Sequence, residues 1–275
     1  MTNSTQSARS ENVKAIVDFF KSGIKTDASS LGIELEHTLV KKDGSPVSYS
    51  GEHGVAWLLN ELKNSSYTTA SYDQDGDILG VAKPGQAVTI EPASQVELSA
   101  GPFTDLMEAR NCFDEFEDRL SHLLDPKGIE ALTVGYHPTA RAKDLELIPK
   151  QRYKLMNAYL GSVSPFGICM MRGSASTQIS IDYTSAEDCL RKLRLAFSLT
   201  PLFSLICDNS PVFEGAPRTH ELVRTEIWKY CDPDRCGVIP GIMSPSFTLE
   251  DYASYILDTP AILINTADGL KEGET

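Results

Sequence analysis

The residues best suited to chemistry in this chain are glutamates that interrupt strand-like apolar segments. Glu34 and Glu36 alternate with apolar residues in the segment LGIELEHTLV. Glu91 and Glu97 lie on either side of a Pro-Ala-Ser turn in the segment TIEPASQVELS. Each segment otherwise has the composition of a β-strand or a β-hairpin. The four carboxylates therefore need an explanation other than core packing.

Residues two apart in a strand point to the same face, so Glu34 and Glu36 share one face of their strand. Neighbouring carboxylates on a sheet repel each other unless a cation lies between them. For one acidic pair alone, a face exposed to water would be the better explanation. The turn at Pro92 lets its two flanking strands carry Glu91 and Glu97 toward one site, and two acidic pairs favour hard divalent cations. Since Mg²⁺ takes few carboxylates and fills its shell with water and phosphate oxygens, we expect two or more ions bridging a nucleotide.

The segment STQISIDY offers a neutral oxygen ligand for the same site. Gln178 shares a strand face with Ser180 and Asp182, so its amide carbonyl is placed to reach that sheet surface. Taken alone, a solvated polar face explains Gln178 equally well.

A site that handles phosphate also needs fixed positive charge. The candidates are Lys150 and Arg152 in PKQRY, Arg172 just ahead of a predicted strand, and Arg224 ahead of Trp228. Isolated basic residues more often serve solubility on the surface, and spacing alone does not distinguish among these four.

Apolar residues at helical spacing, some after Ser or Thr caps, predict six helices. These helices cover residues 10–24, 53–63, 104–124, 185–206, 218–230 and 248–257. Short apolar or alternating segments predict the strands LGIELEHTLV, DILGVA, QAVTIEP, SQVELSA, IEALTVGY, FGICMM, STQISIDY and AILINT. Because these elements do not alternate strictly, we expect an α+β fold with a mostly antiparallel sheet.

The length of 275 residues allows one large domain or two small ones. No segment rich in Pro, Gly or Ser divides the chain, so we expect residues 11–275 to form a single domain. Residues 1–10 are polar and are expected to be a mobile tail.

Charge and composition exclude several classes of partner. The formal net charge of −13 argues against nucleic acid and anionic membranes, both of which attract clustered Lys and Arg. No apolar run is long enough to span a membrane, and the amino terminus lacks the apolar stretch of a secretory signal. The six cysteines have no zinc-like spacing and are expected to be free thiols of a cytoplasmic protein. Cys231 and Cys236 are close enough in sequence to form a loop disulfide, although their spacing is weak evidence.

Six segments together resemble a known family. They are GIELE, EPASQVELS, PKQRYKLMNAYL, STQISIDY, RTEIWKYCDPDRCGVIPG and FTLEDYASYILDTP, and they extend over about residues 31–265. Each is a weak motif alone, but their order resembles the glutamate–cysteine ligases of the plant and proteobacterial type.

The resemblance implies a ligase of the glutamine-synthetase-like superfamily, whose active site is a funnel formed by a curved antiparallel sheet with helices on its outer face. In such enzymes ATP phosphorylates the γ-carboxylate of L-glutamate. The amine of L-cysteine then attacks the γ-glutamyl phosphate and forms γ-glutamylcysteine, the first intermediate of glutathione biosynthesis. Mg²⁺ and ATP are thus the implied cofactor and co-substrate.

The resemblance also implies roles for individual residues. Glutamates of the GxExE and EPxxQxEL motifs, together with one glutamine, look like metal ligands: Glu34, Glu36, Glu91, Glu97 and Gln178. Arg172 and Arg224 match basic positions that act in catalysis by holding substrate carboxylates. Lys150, Arg152 and Trp228 are implied to face the nucleotide or the substrate.

One departure from the family pattern concerns the carboxyl-terminal part. Family members continue into a strand of the form ExR, whose Glu binds metal and whose Arg steadies the transferred phosphate. No such motif follows in this sequence, so we expect the amino-terminal part of a longer ligase, inactive without that strand.

Three functions remain as alternatives. The first is the glutamate–cysteine ligase or a part of it, and the second is a related ligase that joins glutamate to another amine. The third is a non-catalytic module that binds metal or nucleotide. An open sheet edge at the position of the missing strand also predicts self-association, because unpaired strand edges pair with other chains.

Overall fold

The structure is a computed structural model that describes residues 3–267 and 269–273. Its helices are α1 (Asn3–Ser22), α2 (Val55–Ser65), α3 (Leu106–Leu124), α4 (Gln151–Val163), α5 (Pro165–Ile168), α6 (Ala186–Ile206), α7 (Val223–Cys231) and α8 (Leu249–Asp258). Its strands are β1 (Leu31–Lys41), β2 (Thr69–Tyr72), β3 (Ile78–Lys83), β4 (Gln86–Ile90), β5 (Val96–Phe103), β6 (Ile129–Leu132), β7 (Thr177–Ile181), β8 (Val212–Phe213), β9 (Ala216–Pro217), β10 (Leu263–Thr266) and β11 (Gly269–Glu272).

The central feature is an antiparallel sheet of seven strands, six of them in the order β2-β3-β4-β5-β1-β6 and the seventh, β7, paired with β1. Strand β1 is long enough to pair with two partners on one side. Its first half pairs with β7 and its second half pairs with β6. The described strands form an open sheet, and the α+β class with a mostly antiparallel sheet is confirmed.

One face of this sheet carries the main hydrophobic core. Val88, Val96 and Leu98 are fully buried on it, and the helices α2 and α3 pack against that side. Because side chains alternate along a strand, the residues between these positions point to the opposite face. The glutamates of β1 and β5 therefore lie on the face away from the main core.

Most predicted elements are confirmed, and the differences have local causes. The segment FGICMM is not a strand: it forms α5 and then a π-helical turn over Cys169–Gly173. Ser164 caps this helix by accepting a hydrogen bond from the backbone N–H of Phe166, and Pro165 fits its first turn. Helix α4 was not expected.

Three boundaries also differ from the expectation. Helix α7 begins at Val223 instead of residue 218: residues 218–222 form no helix or strand, and Leu222, just before the helix, has a left-handed backbone with a φ of 56°. Helix α3 is capped by Asp105, whose side chain accepts from Met107 N–H, and not by Thr104. Helix α1 begins at Asn3, so residues 3–10, expected as a tail, are helical.

The carboxyl-terminal segment departs from the expectation as well. β10 contains the last four residues of the predicted strand AILINT, and it pairs with β11, which lies in the part expected to be a polar tail. These two strands form a separate hairpin and do not join the seven-stranded sheet.

The outer edge of β7 predicts self-association. Among the described strands β7 pairs with β1 alone, and its Ile179 and Ile181 side chains are 62% and 54% exposed. We expect size-exclusion chromatography to show dimers that increase with concentration, and Ile179→Lys to shift the equilibrium toward monomer. Ile256→Lys, at an exposed position of α8, is the matched control. A monomer at every concentration would contradict this prediction.

A second prediction concerns Cys231 and Cys236. The six cysteines are free thiols, and the Sγ atoms of this pair lie 3.2 Å apart at the carboxyl-terminal end of α7. We expect diamide, which accepts the two thiol hydrogen atoms, to join them within one chain. Peptide mass spectrometry should show the linked peptide in the wild type and in Cys207→Ser, and should not show it in Cys236→Ser. Labelling of both thiols to the same extent before and after diamide treatment would contradict the prediction.

Candidate functional site

The register of the sheet brings the predicted acidic residues together on one face. Glu36 of β1 lies directly opposite Glu97 of β5, and Glu97 lies opposite Thr89 of β4. Glu34 is opposite Gln178 of β7, so this glutamine faces the same side. Directly opposed residues of antiparallel strands point the same way, so these side chains form one polar surface.

The turn after β4 adds Glu91 to this surface. Its backbone N–H donates to Gln95 O at 2.9 Å, and Ser94 N–H donates to Glu91 O at 3.0 Å. The turn is held from outside by the Gln95 side chain, whose Nε2 donates to the carbonyls of Arg172 and Ser174. The four glutamates, Glu34, Glu36, Glu91 and Glu97, are named the carboxylate cluster below.

Polar side chains orient two members of the carboxylate cluster. The hydroxyls of Thr89 and Ser99 both donate to Glu97 Oε1, at 3.1 and 3.0 Å. The hydroxyl of Tyr153, from the first turn of α4, donates to Glu91 Oε2 at 3.1 Å. Glu97 is only 8% exposed, so its carboxylate is held in a largely dehydrated position.

Burial and mutual repulsion raise pKa values within the cluster. The pKa of Glu36 rises to about 8, first because the side chain is buried and then because Glu91 and Glu97 are close. The pKa of Glu34 and that of Glu91 are also raised, in both cases by burial and then by the negative charge of Glu97. The surrounding protein therefore does not fully neutralise these carboxylates, which favours binding of an external cation.

Three of the predicted basic residues lie near the cluster. Arg224 is close enough to Glu36 to lower the pKa of that carboxyl, although its guanidinium donates to Gly135 O, Ala175 O and Ser176 Oγ. The other two, Lys150 and Arg152, lie at the start of α4. Lys150 Nζ donates to Ile90 O at 2.9 Å, and both Lys150 and Arg152 lower the pKa of Glu91.

Arg172 and Trp228 make their contacts away from the carboxylate cluster. All three guanidinium nitrogens of Arg172 donate hydrogen bonds, to Asn157 Oδ1 and to the carbonyls of Lys143 and Leu145. This network ties α4 to the π-helical turn and leaves Arg172 turned toward a loop. Trp228 is 44% exposed and lines an apolar cavity of about 630 Å³ between α6 and α7.

Sequence reasoning missed Thr89, Ser99 and Tyr153 as partners of the carboxylates. Thr89 and Ser99 lie two residues from Glu91 and Glu97 respectively, so strand alternation alone places them on the acidic face. Tyr153 had no comparable signal, because its contact with Glu91 depends on the packing of α4 against the turn.

Space for a ligand lies beside the cluster. An open groove of about 450 Å³ runs past Glu34, and its floor consists mostly of small residues. They include Gly32, Ala82, Ala87, Ser99 and Ser180. Small side chains leave the sheet surface accessible next to the carboxylates.

The residues present fit Mg²⁺ better than a metal that needs a protein cage. In residues 3–267 and 269–273, no three His, Cys, Asp or Glu side chains converge as a preformed metal site. Mg²⁺ needs only one or two carboxylates and keeps several waters, so the spread glutamates are compatible with it. Burial and the neighbouring Glu91 and Glu97 raise the pKa of Glu36, and a divalent cation would offset both effects.

Known relatives of this chain are longer than the chain itself. The chain is 33% identical over 247 residues to "Glutamate--cysteine ligase, chloroplastic" of Arabidopsis thaliana, covering 89% of this chain and 47% of that protein. It is 29% identical over 254 residues to the Medicago truncatula protein of that name, covering 90% and 49%. The Brassica juncea protein of that name is 32% identical over 203 residues. The chain spans about half the length of these first two curated relatives.

The names of these relatives contradict one expectation. All three are chloroplastic, so the cytoplasmic location expected from the amino terminus and the free thiols is wrong. Composition alone does not distinguish the two compartments, because free thiols are compatible with either. Across the helices that the structure describes, none has the length and hydropathy to cross a membrane.

The sequence model of the family described as "Glutamate-cysteine ligase family 2(GCS2)" matches residues 30–269. This range contains β1, both arms of the turn at Glu91, β7 and α7, and hence every residue of the carboxylate cluster. The relatives named above, at about 30% identity over most of the chain, support the same family. The chain therefore belongs to glutamate–cysteine ligase family 2.

Proposed function

We propose that this chain supplies the carboxylate-bearing part of a glutamate–cysteine ligase that is dependent on ATP and Mg²⁺. The observation that carries the proposal is the register of Glu34, Glu36 and Glu97 on one polar sheet face, with Glu91 beside them. Family membership supports the ligase chemistry. The substrates of the proposed reaction are L-glutamate, L-cysteine and ATP, and the product belongs to glutathione biosynthesis.

The carboxylate cluster would hold Mg²⁺, with Gln178 as an additional oxygen donor opposite Glu34. When bound, the ions neutralise phosphate charge and align the triphosphate with the γ-carboxylate of glutamate. Thr89 and Ser99 keep Glu97 in one orientation, and Tyr153 does the same for Glu91. The ligands are thereby pre-oriented before substrate arrives.

The basic residues near the cluster would bind anionic groups. Lys150 and Arg152 lie on the Glu91 side, where they can attract a phosphate or a substrate carboxylate. Arg224 is committed to backbone carbonyls and Ser176, so we assign it to positioning β7 and to balancing Glu36. Arg172 holds α4 and the π-helical turn in place, so we give it a positioning role too.

The test is incubation of the chain with Mg²⁺, ATP, L-glutamate and L-cysteine, followed by mass spectrometry for ADP and γ-glutamylcysteine. We expect neither product from the chain alone, and both products when it is combined with the carboxyl-terminal part of a family member that carries the ExR strand. Replacing cysteine by glycine or by another amine in parallel reactions distinguishes this ligase from one with a different acceptor. ADP and γ-glutamyl product with another amine, and none with cysteine, would assign the related ligase instead.

A matched pair of variants tests the metal role within the same experiment. Glu97→Gln keeps the shape of the side chain but removes its charge, and we expect the loss of at least about 100-fold in rate. Glu130→Gln, at an exposed position of β6, should leave the rate unchanged. Absence of Mg²⁺ or nucleotide binding by calorimetry, together with absence of product, would overturn the proposal.

A further inference from the structure

A small cavity lies beside the turn that carries Glu91. Its volume is about 10 Å³, and Thr38, Ser94 and His137 are among its lining residues. Each of these three residues is at most 5% exposed. Thr38 Oγ1, Ser94 Oγ and His137 Nε2 are buried and have no hydrogen-bond partner within the protein.

Three unpartnered polar atoms around one cavity are unusual, because leaving a buried donor or acceptor unpaired costs about 1–3 kcal/mol. The atoms belong to three separate segments. Thr38 is in β1, Ser94 is in the turn after β4, and His137 follows β6. A single molecule that formed hydrogen bonds with all three atoms would remove this free-energy cost.

The hydrogen bonds of His137 determine the role of its free nitrogen. Nδ1 accepts from the backbone N–H groups of Thr139 and Ala140, at 3.3 and 3.1 Å. In a neutral imidazole, when one nitrogen accepts, the other carries the hydrogen. Nε2 is therefore an N–H donor that points to the cavity, and it is unable to ligate a metal ion.

The ligand must then be small, neutral and able both to accept and to donate. A cavity of about 10–15 Å³ holds one water molecule, and buried waters make about three hydrogen bonds. We propose that the cavity binds one ordered water, which accepts from His137 Nε2–H and donates to the hydroxyl oxygens of Thr38 and Ser94. The two hydroxyl hydrogens remain free to rotate toward the water or the neighbouring backbone.

The position of this water relates it to the carboxylate cluster. Thr38 lies two residues after Glu36 on the same face of β1, and Ser94 lies between Glu91 and Glu97. His137 N–H also donates to Gly173 O at 2.7 Å, next to Arg172. The water thus joins three segments at one end of the candidate site, where the non-glycine residue Ser94 has a positive φ of 71°.

The direct test is a high-resolution crystal structure of the wild-type chain. We expect one density peak at hydrogen-bonding distance, about 2.6–3.2 Å, from Thr38 Oγ1, Ser94 Oγ and His137 Nε2. A long-range ¹H–¹⁵N spectrum should assign the ring hydrogen of His137 to Nε2. An empty cavity, or a direct hydrogen bond between two of the three side chains, would overturn the inference.

A double-mutant cycle gives an independent test. Thr38→Val and Ser94→Ala each remove one partner of the water, so the second substitution should cost less after the first. Each substitution raises the equilibrium constant for unfolding by some factor. We expect the factor of the double variant to be about five-fold smaller than the product of the two single factors. Ser210→Ala is the matched control, because Ser210 Oγ is also buried and unpartnered but does not line this cavity.

The cycle also has a contradicting outcome. If the effects of Thr38→Val and Ser94→Ala on stability are additive, as each is expected to be with Ser210→Ala, no shared molecule couples the two side chains. If Ser94→Ala fails to fold because of its positive φ, Ser94→Gly removes the same hydroxyl and tolerates that conformation.

Discussion

Replacing Glu36 by Gln is expected to stabilise the metal-free protein at alkaline pH and to remove its response to Mg²⁺. The pKa of Glu36 is raised from its ordinary value to about 8 by burial, Glu91 and Glu97. In the unfolded chain the same carboxyl ionises near its ordinary pKa. Below that ordinary value the two proteins should therefore be equally stable.

The sign of the effect follows from proton binding. Between the ordinary pKa of a Glu and about pH 8, the folded wild type holds a proton on Glu36 that the unfolded chain has released. The free energy of unfolding therefore falls as the pH rises through this range. Glu36→Gln lacks this term, so at pH 9 we expect it to be about 2–4 kcal/mol more stable than the wild type in EDTA.

Mg²⁺ should reverse the order of the two proteins. Binding to the folded state stabilises the wild type at pH 9, whereas Glu36→Gln has lost a charged ligand and should respond little. Urea denaturation at pH 5, 7 and 9, with EDTA or with Mg²⁺, measures both effects. Glu130→Gln, on the exposed face of β6, is the control. A wild-type midpoint that Mg²⁺ leaves unchanged would contradict the metal site.

The position of the acidic residues on one sheet face could be predicted from the sequence. Glu34 and Glu36 interrupt an apolar strand, and a strand tolerates such a cost only where the charge has a use. Their shared face could be assigned from the sequence alone, because side chains two residues apart in a strand point the same way. The pairing of Glu36 with Glu97 required the order of strands, which places β1 beside β5 across a long sequence separation.

The basic residues were less predictable, because long side chains reach their partners through tertiary packing. Arg172 matches a basic motif position, yet the π-helical turn directs it to Asn157 and to the carbonyl of Leu145. The strand prediction for FGICMM failed for a related reason. A short apolar segment fits a strand or a buried helix equally well by periodicity, and the Ser164-Pro165 helix start was the deciding signal.

Loss of Arg224 should reduce the stability of the fold strongly. Its Nη1 donates to Gly135 O at 2.8 Å and to Ala175 O at 2.7 Å, and its Nη2 donates to Ser176 Oγ at 2.7 Å. Arg224→Met keeps an apolar stem of similar reach but leaves these acceptors without partners. A hydrogen bond to a charged group is worth about 1.5–3 kcal/mol, and water can replace part of the three lost bonds, so we expect the free energy of unfolding to fall by about 2–4 kcal/mol.

The comparison with Arg224→Lys separates charge from geometry. A lysine keeps the positive charge beside Glu36, but a single ammonium does not reproduce the planar fork that spans two carbonyls and a hydroxyl. We expect it to recover less than half of the lost stability, while Arg110→Met should change stability little because its ion pair with Asp114 is exposed. Urea denaturation at pH 7 measures all three. Full recovery by Arg224→Lys would mean that Arg224 acts through its charge on Glu36 and that the hydrogen bonds to Gly135, Ala175 and Ser176 contribute little.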